Sequence, residues 1–166
     1  MSYREKIVSP DAMADLMTGW RAAGQRVVFA NGCFDLLHVG HVRYLQGARR
    51  CGDRLVVAVN SDDSTRRLKG DRRPVLPEQA RAELVAALAV VDAVVVFPDL
   101  TVEPLLRRLR PAVHAKGTDY SVTTVPERAV AEECGIEIAI VGDPKHHSTR
   151  ALLTAIQGRQ GEQEPA

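Results

Sequence analysis

Short apolar runs alternate with more polar, amphipathic stretches along the chain. Runs rich in valine, isoleucine and alanine predict five buried strands, at 27–30, 55–59, 93–97, 112–115 and 136–141. These runs lack the polar alternation of a half-exposed sheet, and they are separated by segments long enough for helices. The pattern predicts one α/β domain in which a five-stranded parallel sheet carries helices on both faces.

Residues that typically begin or end helices bound the segments between the strands. We expect Asp11 to cap a helix that ends at Gly24. Pro77 suits the first turn of a helix on which Leu84, Leu88 and Val91 would share one buried face. Further helices are predicted at 42–52, 101–110, 126–134 and 149–157. The domain is expected to span 1–157, and the polar residues 158–166 to form a flexible C-terminal tail.

Composition narrows the class of protein. The chain has 166 residues, the size of one domain, and its 22 basic and 21 acidic side chains almost cancel. This balance argues against a protein that coats nucleic acid or an anionic membrane. The sequence contains no apolar run of about 18 residues and no signal core after the N-terminus, so no membrane segment is predicted. Three cysteines, an odd number, indicate a reducing cytoplasm rather than a disulfide framework.

Unusual residues follow four of the five predicted strands. In doubly wound (Rossmann-like) sheets, ligands bind beyond the carboxyl ends of the strands, where the strand order reverses. The loop at 31–41 places His38 and His41 on either side of Gly40, where a helix begins. The exposed amides of a first helical turn bind anions, and a glycine lets a phosphate approach the backbone. The alternative is that both histidines only cap and pack the helix.

The loop at 32–41 carries the pattern G-x-F-D-x-x-H-x-G-H, which resembles the signature of the nucleotidyltransferase superfamily that includes the cytidylyltransferases. The longer string 31–45, NGCFDLLHVGHVRYL, is similar to bacterial D-glycero-β-D-manno-heptose 1-phosphate adenylyltransferases. The similarity continues through 67–70, 73–74, 91–92 and 116–120, in the order and spacing of that family. The resemblance therefore covers nearly the whole chain.

The resemblance implies a reaction and a set of site residues. The reaction moves AMP from ATP to a heptose 1-phosphate by in-line attack on the α-phosphorus, releasing pyrophosphate, with Mg²⁺ carried by the nucleotide phosphates. It implies catalytic roles for His38, His41 and Lys69. Nucleotide contacts are implied for Gly32, Cys33, Phe34, Gly40, Asp119, Ser148, Thr149 and Arg150, and substrate contacts for Asp35, Arg73 and Lys116. No kinase domain is present, so a stand-alone transferase, as a possible homodimer, is expected.

Several of these residues also have structural interpretations. The charged run 66–73 around Lys69 is typical of a solvated loop, and 116–120 is typical of a turn. Ser148 or Thr149 suits the N-cap of the last helix. Arg81 is expected to border a buried helix face with its charge in solvent, and Asp92 to be structural.

Other functions remain as alternatives. Arg150 replaces a family threonine, and Asp143 stands where related cytidylyltransferases have arginine. A cytidylyltransferase that uses CTP and glycerol 3-phosphate is therefore the second hypothesis. A non-catalytic nucleotide sensor is a third. Cys33, His38 and His41 fit no common zinc spacing, even with His146 or His147 added, and Cys33 is expected to act through its backbone alone. Neither G-x-G-x-x-G nor a P-loop pattern occurs, which excludes those nucleotide folds.

Overall fold

Five parallel strands form a single sheet, as the apolar runs predict. The computed structural model describes residues 2–144 and 149–160. The strands are β1 (Val27–Gly32), β2 (Arg54–Asn60), β3 (Ala93–Phe97), β4 (Val113–Gly117) and β5 (Glu137–Val141). Their order in the sheet is β3-β2-β1-β4-β5, and every pairing is parallel. The strand order reverses between β1 and β4, so the doubly wound fold class is confirmed and a ligand is expected there.

Helices cover both faces of the sheet. They are α1 (Pro10–Ala22), α2 (Val39–Arg49), α3 (Asp62–Lys69), α4 (Glu78–Ala86), α5 (Glu103–Leu109), α6 (Arg128–Cys134) and α7 (Thr149–Gln160). Successive strand side chains point to opposite faces, so Phe29 packs against α1, α5 and α6, and Val28 packs against α2 and α4. We call these two sides the α1 face and the α2 face.

The first helix begins two residues earlier than predicted, and Asp11 is not its cap. Ser9 has extended backbone geometry, and its hydroxyl oxygen accepts a hydrogen bond from the Ala12 N–H at 3.2 Å. Pro10 then takes the first helical position, where its fixed φ suits the helix and its missing N–H is not needed.

The charged run before Lys69 is helical, which corrects its interpretation as a loop. Ser61 caps α3, with its hydroxyl oxygen 3.1 Å from the Ser64 nitrogen. Asp62 and Asp63 occupy the first turn and basic residues the last, which stabilises both ends of the helix dipole. The buried residues of α3 are polar, Ser64 and Thr65. A search for apolar periodicity therefore misses this helix.

The predicted buried face of α4 is also wrong. The helix ends at Ala86, so Leu88 and Val91 lie in the turn that follows it, where they pack into the α2-face core. Leu84 is 43% exposed. The residues of α4 that are buried are Arg81, Ala82, Val85 and Ala86.

The last helix extends to Gln160, three residues beyond its predicted end. Residues 161–166 lie outside the described part of the chain, so the flexible tail stays a prediction. No helix within residues 2–144 and 149–160 is long and apolar enough to cross a membrane.

Candidate functional site

The carboxyl ends of the strands surround a cavity of about 860 Å³. It lies at the point where the strand order reverses, as expected for a doubly wound sheet. Every predicted site residue whose side chain the structure describes lines this cavity. They are Gly32, Cys33, Phe34, Asp35, His38, Gly40, His41, Lys69, Arg73, Lys116, Asp119 and Thr149. Ser148 and the side chain of Arg150 lie outside the described residues.

The two histidines of the β1–α2 loop act as one unit. His38 is the N-cap residue of α2, and its backbone N–H donates to Nδ1 of His41 at 3.3 Å. The two imidazole rings stack with centroids 3.9 Å apart. Because Nδ1 of His41 accepts a hydrogen bond, the neutral ring carries its proton on Nε2. The pair caps the helix, as the structural interpretation predicts, and it also lines the cavity, while its contact with a phosphate stays a prediction.

Phe34 explains why the loop needs a glycine at position 32. Its backbone has φ +47°, in the left-handed region, and its ring is buried against His41, with ring centroids 5.2 Å apart. A Cβ on residue 32 would lie only 3.1 Å from the Phe34 ring. Gly32 thus leaves room for this ring, which would have to shift by a few tenths of an ångström to admit a Cβ, whatever the contact of Gly32 with a nucleotide.

Asp35 and Arg73, both predicted to bind substrate, bind each other. Asp35 is 6% exposed, and its carboxylate accepts hydrogen bonds from the Arg73 guanidinium and from the Val75 N–H, the latter at 2.7 Å. The pair joins the segment after α3 to the β1–α2 loop, and Lys69 and the two histidines line the same cavity. A direct contact of either residue with substrate stays a prediction.

Arg81 does not extend into solvent as predicted, because its side chain is completely buried. Its guanidinium donates to the Cys33 carbonyl at 2.5 Å, to Asp62 Oδ1 at 2.7 Å and to the Leu76 carbonyl at 2.9 Å. Three segments that form one wall of the cavity are therefore joined by a single charged group. Sequence reasoning missed this role, since the three partners are distant along the chain.

Cys33 contributes little through its sulfur. Its Sγ lies 3.8 Å from Oδ1 of Asn60, and its carbonyl is held by Arg81. In the described part of the chain, no three His, Cys, Asp or Glu side chains are grouped to hold a metal ion. His146 and His147 lie outside that part.

The end of β4 places a second lysine in the cavity. Lys116 is only 7% exposed, and its Nζ lies 3.2 Å from Glu127 Oε2 and 4.9 Å from the centroid of the Tyr120 ring. Its positive charge is therefore compensated by a buried carboxylate. Lys69, by contrast, is exposed at the C-terminal end of α3.

Loop-to-loop contacts close the far side of the cavity. The Thr149 hydroxyl donates to the Leu36 carbonyl at 3.4 Å, and the Thr118 hydroxyl donates to the Asp143 carbonyl at 2.8 Å. The Asp143 carboxylate pairs with Arg43 of α2 at 2.9 Å. Asp143, which departs from the cytidylyltransferase pattern, thus ties the β5–α7 loop to α2.

Two buried groups on β4 and α2 support the floor of the cavity. Burial, together with the charge of Lys116, lowers the pKa of His114 to about 3, so this ring is neutral at neutral pH. Its Nε2 lies 3.1 Å from Asn31 Oδ1. The Tyr44 hydroxyl donates to the Ala115 carbonyl at 2.8 Å, and burial raises the pKa of Tyr44. Both groups hold the ends of β1 and β4 in register.

Comparison with known proteins identifies the family. A model of the family described as cytidylyltransferase-like matches residues 29–151, which include the cavity loops after β1, β2, β3, β4 and β5. This chain belongs to the cytidylyltransferase-like family. The match confirms the predicted superfamily.

The family's curated relatives are longer proteins. The chain is 46% identical over 158 residues to the bifunctional protein HldE of Geobacter sulfurreducens, covering 95% of this chain and 32% of the relative. It is 46% identical to HldE of Bradyrhizobium sp., covering 94% of this chain and 32% of the relative. The chain thus spans about a third of the length of these relatives.

A solved structure of a lipopolysaccharide core biosynthesis protein from Thermoplasma volcanium is also similar. It has a TM-score of 0.62 and 28% identity, covering 74% of this chain and all of that one. Together the comparisons confirm the prediction that the chain is a nucleotidyltransferase. The roles of individual site residues stay predictions.

Proposed function

We propose that this domain transfers AMP from MgATP to a heptose 1-phosphate, forming ADP-heptose and pyrophosphate. The observation that carries the proposal is the stacked pair His38 and His41 at the start of α2, in the same cavity as the exposed Lys69. Ring N–H groups, an ammonium group and the free amides of a helix N-terminus are suited to a polyphosphate.

The chemistry demands positioning and positive charge rather than a nucleophilic side chain. An oxygen of the sugar 1-phosphate forms a bond to the α-phosphorus of ATP, and the bond from that phosphorus to the bridging oxygen of the β-phosphate breaks. The electron pair leaves with pyrophosphate. Since the attacking oxygen is already anionic, no general base is needed. The chain's residues hold the two phosphates in line and stabilise the charge that develops on the leaving group.

Mg²⁺ belongs to the substrate in this proposal. Four carboxylates of the described residues line the cavity, and three of them are paired: Asp35 with Arg73, Glu127 with Lys116 and Asp143 with Arg43. The described residues supply no group of three metal ligands. A magnesium ion that arrives on the nucleotide phosphates fits this donor set, because Mg²⁺ is usually held by substrate phosphates and water.

The choice of acceptor rests on similarity. The string 31–45 is similar to heptose 1-phosphate adenylyltransferases, and the HldE relatives align with almost the whole chain. The Thermoplasma volcanium relative is a lipopolysaccharide core biosynthesis protein, which is compatible with a heptose acceptor. Asp143 and Arg150 depart from the family patterns, so CTP stays the alternative nucleotide and is included in the test.

The test is a matrix of ATP and CTP against heptose 1-phosphate and glycerol 3-phosphate, read as pyrophosphate release. We expect the highest kcat/KM for ATP with heptose 1-phosphate. A higher value for CTP with glycerol 3-phosphate would overturn the heptose assignment and leave the nucleotidyltransferase intact. Binding of nucleotide without pyrophosphate release from any pair would favour a sensor.

A matched pair of lysine variants tests the phosphate role. Lys69→Ala is expected to lower kcat more than nucleotide affinity, because its contact strengthens as charge moves onto pyrophosphate. Lys6→Ala is the control, since Lys6 lies outside this cavity and its ammonium donates to the Leu88 carbonyl. Equal kcat values for the two variants would contradict the role of Lys69.

A further inference from the structure

Asn31 is a cavity residue that the motif does not explain. It is the fifth residue of β1 and directly precedes the G-x-F-D pattern. Its side chain is half-buried and lines the cavity, and its Oδ1 lies 3.1 Å from Nε2 of the completely buried His114. Within the described residues, no hydrogen-bond partner is found for its Nδ2.

The environment of His114 decides which way the Asn31 amide faces. The buried ring is neutral and therefore has one N–H, and its Nδ1 has no partner among the described residues. A buried N–H without an acceptor is rarer than a buried acceptor without a donor. The proton therefore lies on Nε2, which donates to Oδ1 of Asn31. This hydrogen bond leaves both N–H groups of the Asn31 amide for the cavity.

Asn31 and the helix that begins beside the two histidines lie on opposite faces of the sheet. Asn31 follows Phe29 by two residues, so its side chain lies on the α1 face, while α2, which begins beside His38, packs on the other face. Asn60 and Phe97 line the cavity and lie on the α1 face as well. Both are almost fully buried, and the Asn60 amide already donates to Ser64 Oγ at 2.9 Å. The half-buried Asn31 amide is therefore the carboxamide of this face that suits a sugar, which offers hydroxyl oxygens.

We propose that the Asn31 amide binds a hydroxyl oxygen of the acceptor sugar, and that His114 is the positioning residue that keeps its N–H groups turned toward that oxygen. This inference rests on the proposed function and adds the residue that recognises the acceptor. The alternative is that the same amide binds an oxygen of the nucleotide. Separate measurements of the KM for heptose 1-phosphate and the KM for MgATP distinguish these two contacts.

Two substitutions of Asn31 separate recognition from structure. Asn31→Ala removes the cavity donors and the partner of His114, whereas Asn31→Asp keeps an oxygen for His114 and replaces the donors by a negatively charged acceptor. We expect both to raise the KM for heptose 1-phosphate about tenfold, the effect of one lost hydrogen bond, and to change the KM for MgATP less than threefold. A structural role alone would spare Asn31→Asp.

A deoxy acceptor sharpens the test. On the deoxy-heptose 1-phosphate that lacks the contacted hydroxyl, Asn31→Ala should cost no further activity relative to the wild-type chain. If Asn31→Ala impairs every singly deoxygenated acceptor by the same factor, the hydroxyl contact is wrong. If it raises only the KM for MgATP, the amide binds the nucleotide and the proposal is overturned.

Two substitutions of His114 test the positioning role. The glutamine side chain places an N–H near the position of histidine Nε2, whereas asparagine reaches only the position of Nδ1. His114→Gln should therefore keep the KM for heptose 1-phosphate near that of the wild-type chain. His114→Asn should raise this KM by the same factor as Asn31→Ala. The double variant with His114→Asn and Asn31→Ala should have the same KM as either single variant. Equal KM values for the two His114 variants would contradict the role. If His114→Asn fails to fold, the KM values of the Asn31 variants test the proposal by themselves.

Failure of the proposed function has a different result. If the wild-type chain releases pyrophosphate with glycerol 3-phosphate and not with heptose 1-phosphate, the heptose assignment fails, and the Asn31 variants are then measured on glycerol 3-phosphate. If heptose 1-phosphate is the acceptor and neither Asn31 variant changes its KM, the proposed function stands and this inference fails.

Discussion

Two lysines line the same cavity in opposite electrostatic environments. Lys69 is exposed at the end of α3, and no ion pair to it is found in the described residues. Lys116, at the end of β4, is buried, and its ammonium lies 3.2 Å from Glu127. Within the described residues, the charge of Lys116 is compensated by a carboxylate and that of Lys69 is not. We therefore expect the compensated charge to support the site and the uncompensated charge to act on the substrate.

The two lysines also have different histidines in their surroundings. The stacked His38 and His41 line the same cavity as Lys69. The region beside Lys116 holds the buried His114, neutral because burial lowers its pKa. We therefore expect substitutions in the first region to change turnover and substitutions in the second to change stability first.

The largest effect is expected in the open region. Replacing both His38 and His41 by alanine should lower kcat by about 10²- to 10⁴-fold, as for the loss of groups that stabilise charge in a transition state. The measurement is steady-state pyrophosphate release, with circular dichroism to confirm that the variant is folded. Turnover near that of the wild-type chain would remove these histidines from the mechanism.

The two lysines themselves give the next test. Lys116→Met leaves the buried carboxylate of Glu127 without its partner and should destabilise the fold by about 3–5 kcal/mol. Lys69→Met should change stability by less than about 0.5 kcal/mol, because Lys69 is exposed. Urea unfolding measures both. The double change Lys116→Met with Glu127→Gln should regain part of the loss, and equal stabilities of the two lysine variants would break the comparison.

The buried histidine predicts a pH dependence of stability. The pKa of His114 falls from an ordinary 6.5 to about 3 on folding. Between these values the unfolded chain binds a proton that the folded chain does not, so stability falls as the pH falls. From pH 7 to pH 5 this contributes a loss of about 2 kcal/mol. His114→Gln should remove that part of the dependence in urea unfolding at the two pH values. An unchanged dependence would show that the ring is not held neutral.

The smallest effect on activity is expected for a substitution of Cys33. Cys33→Ser should keep kcat/KM within about threefold of the wild-type value, because Arg81 binds the backbone carbonyl of this residue and a nucleotide is likewise expected to contact only its backbone. Lost activity in this variant, or one zinc ion per purified chain, would mean that the sulfur has a role the geometry does not indicate.

Much of the fold follows from local sequence patterns. A strand buried on both faces needs an uninterrupted apolar run, and 93–97 matches β3 residue for residue. Prediction failed at α3 and α4, where the buried side chains Ser64, Thr65 and Arg81 are polar. These side chains are buried because tertiary partners satisfy their hydrogen bonds, as Asp62 and two carbonyls do for Arg81, and hydrophobic periodicity cannot register such partners.

The sequence by itself determined the alternation of strands and helices, and it determined the chemistry at the end of β1. Apolar runs, capping residues and the histidine–glycine loop act over a few neighbouring residues, so a linear pattern contains them. Only the tertiary structure decided which charged groups are compensated. Asp35 and Arg73 are 38 residues apart, Asp62 and Arg81 are 19 apart, and Asn31 and His114 are 83 apart. Burial makes each of these pairs strong, and burial exists only after the sheet has brought the distant segments together.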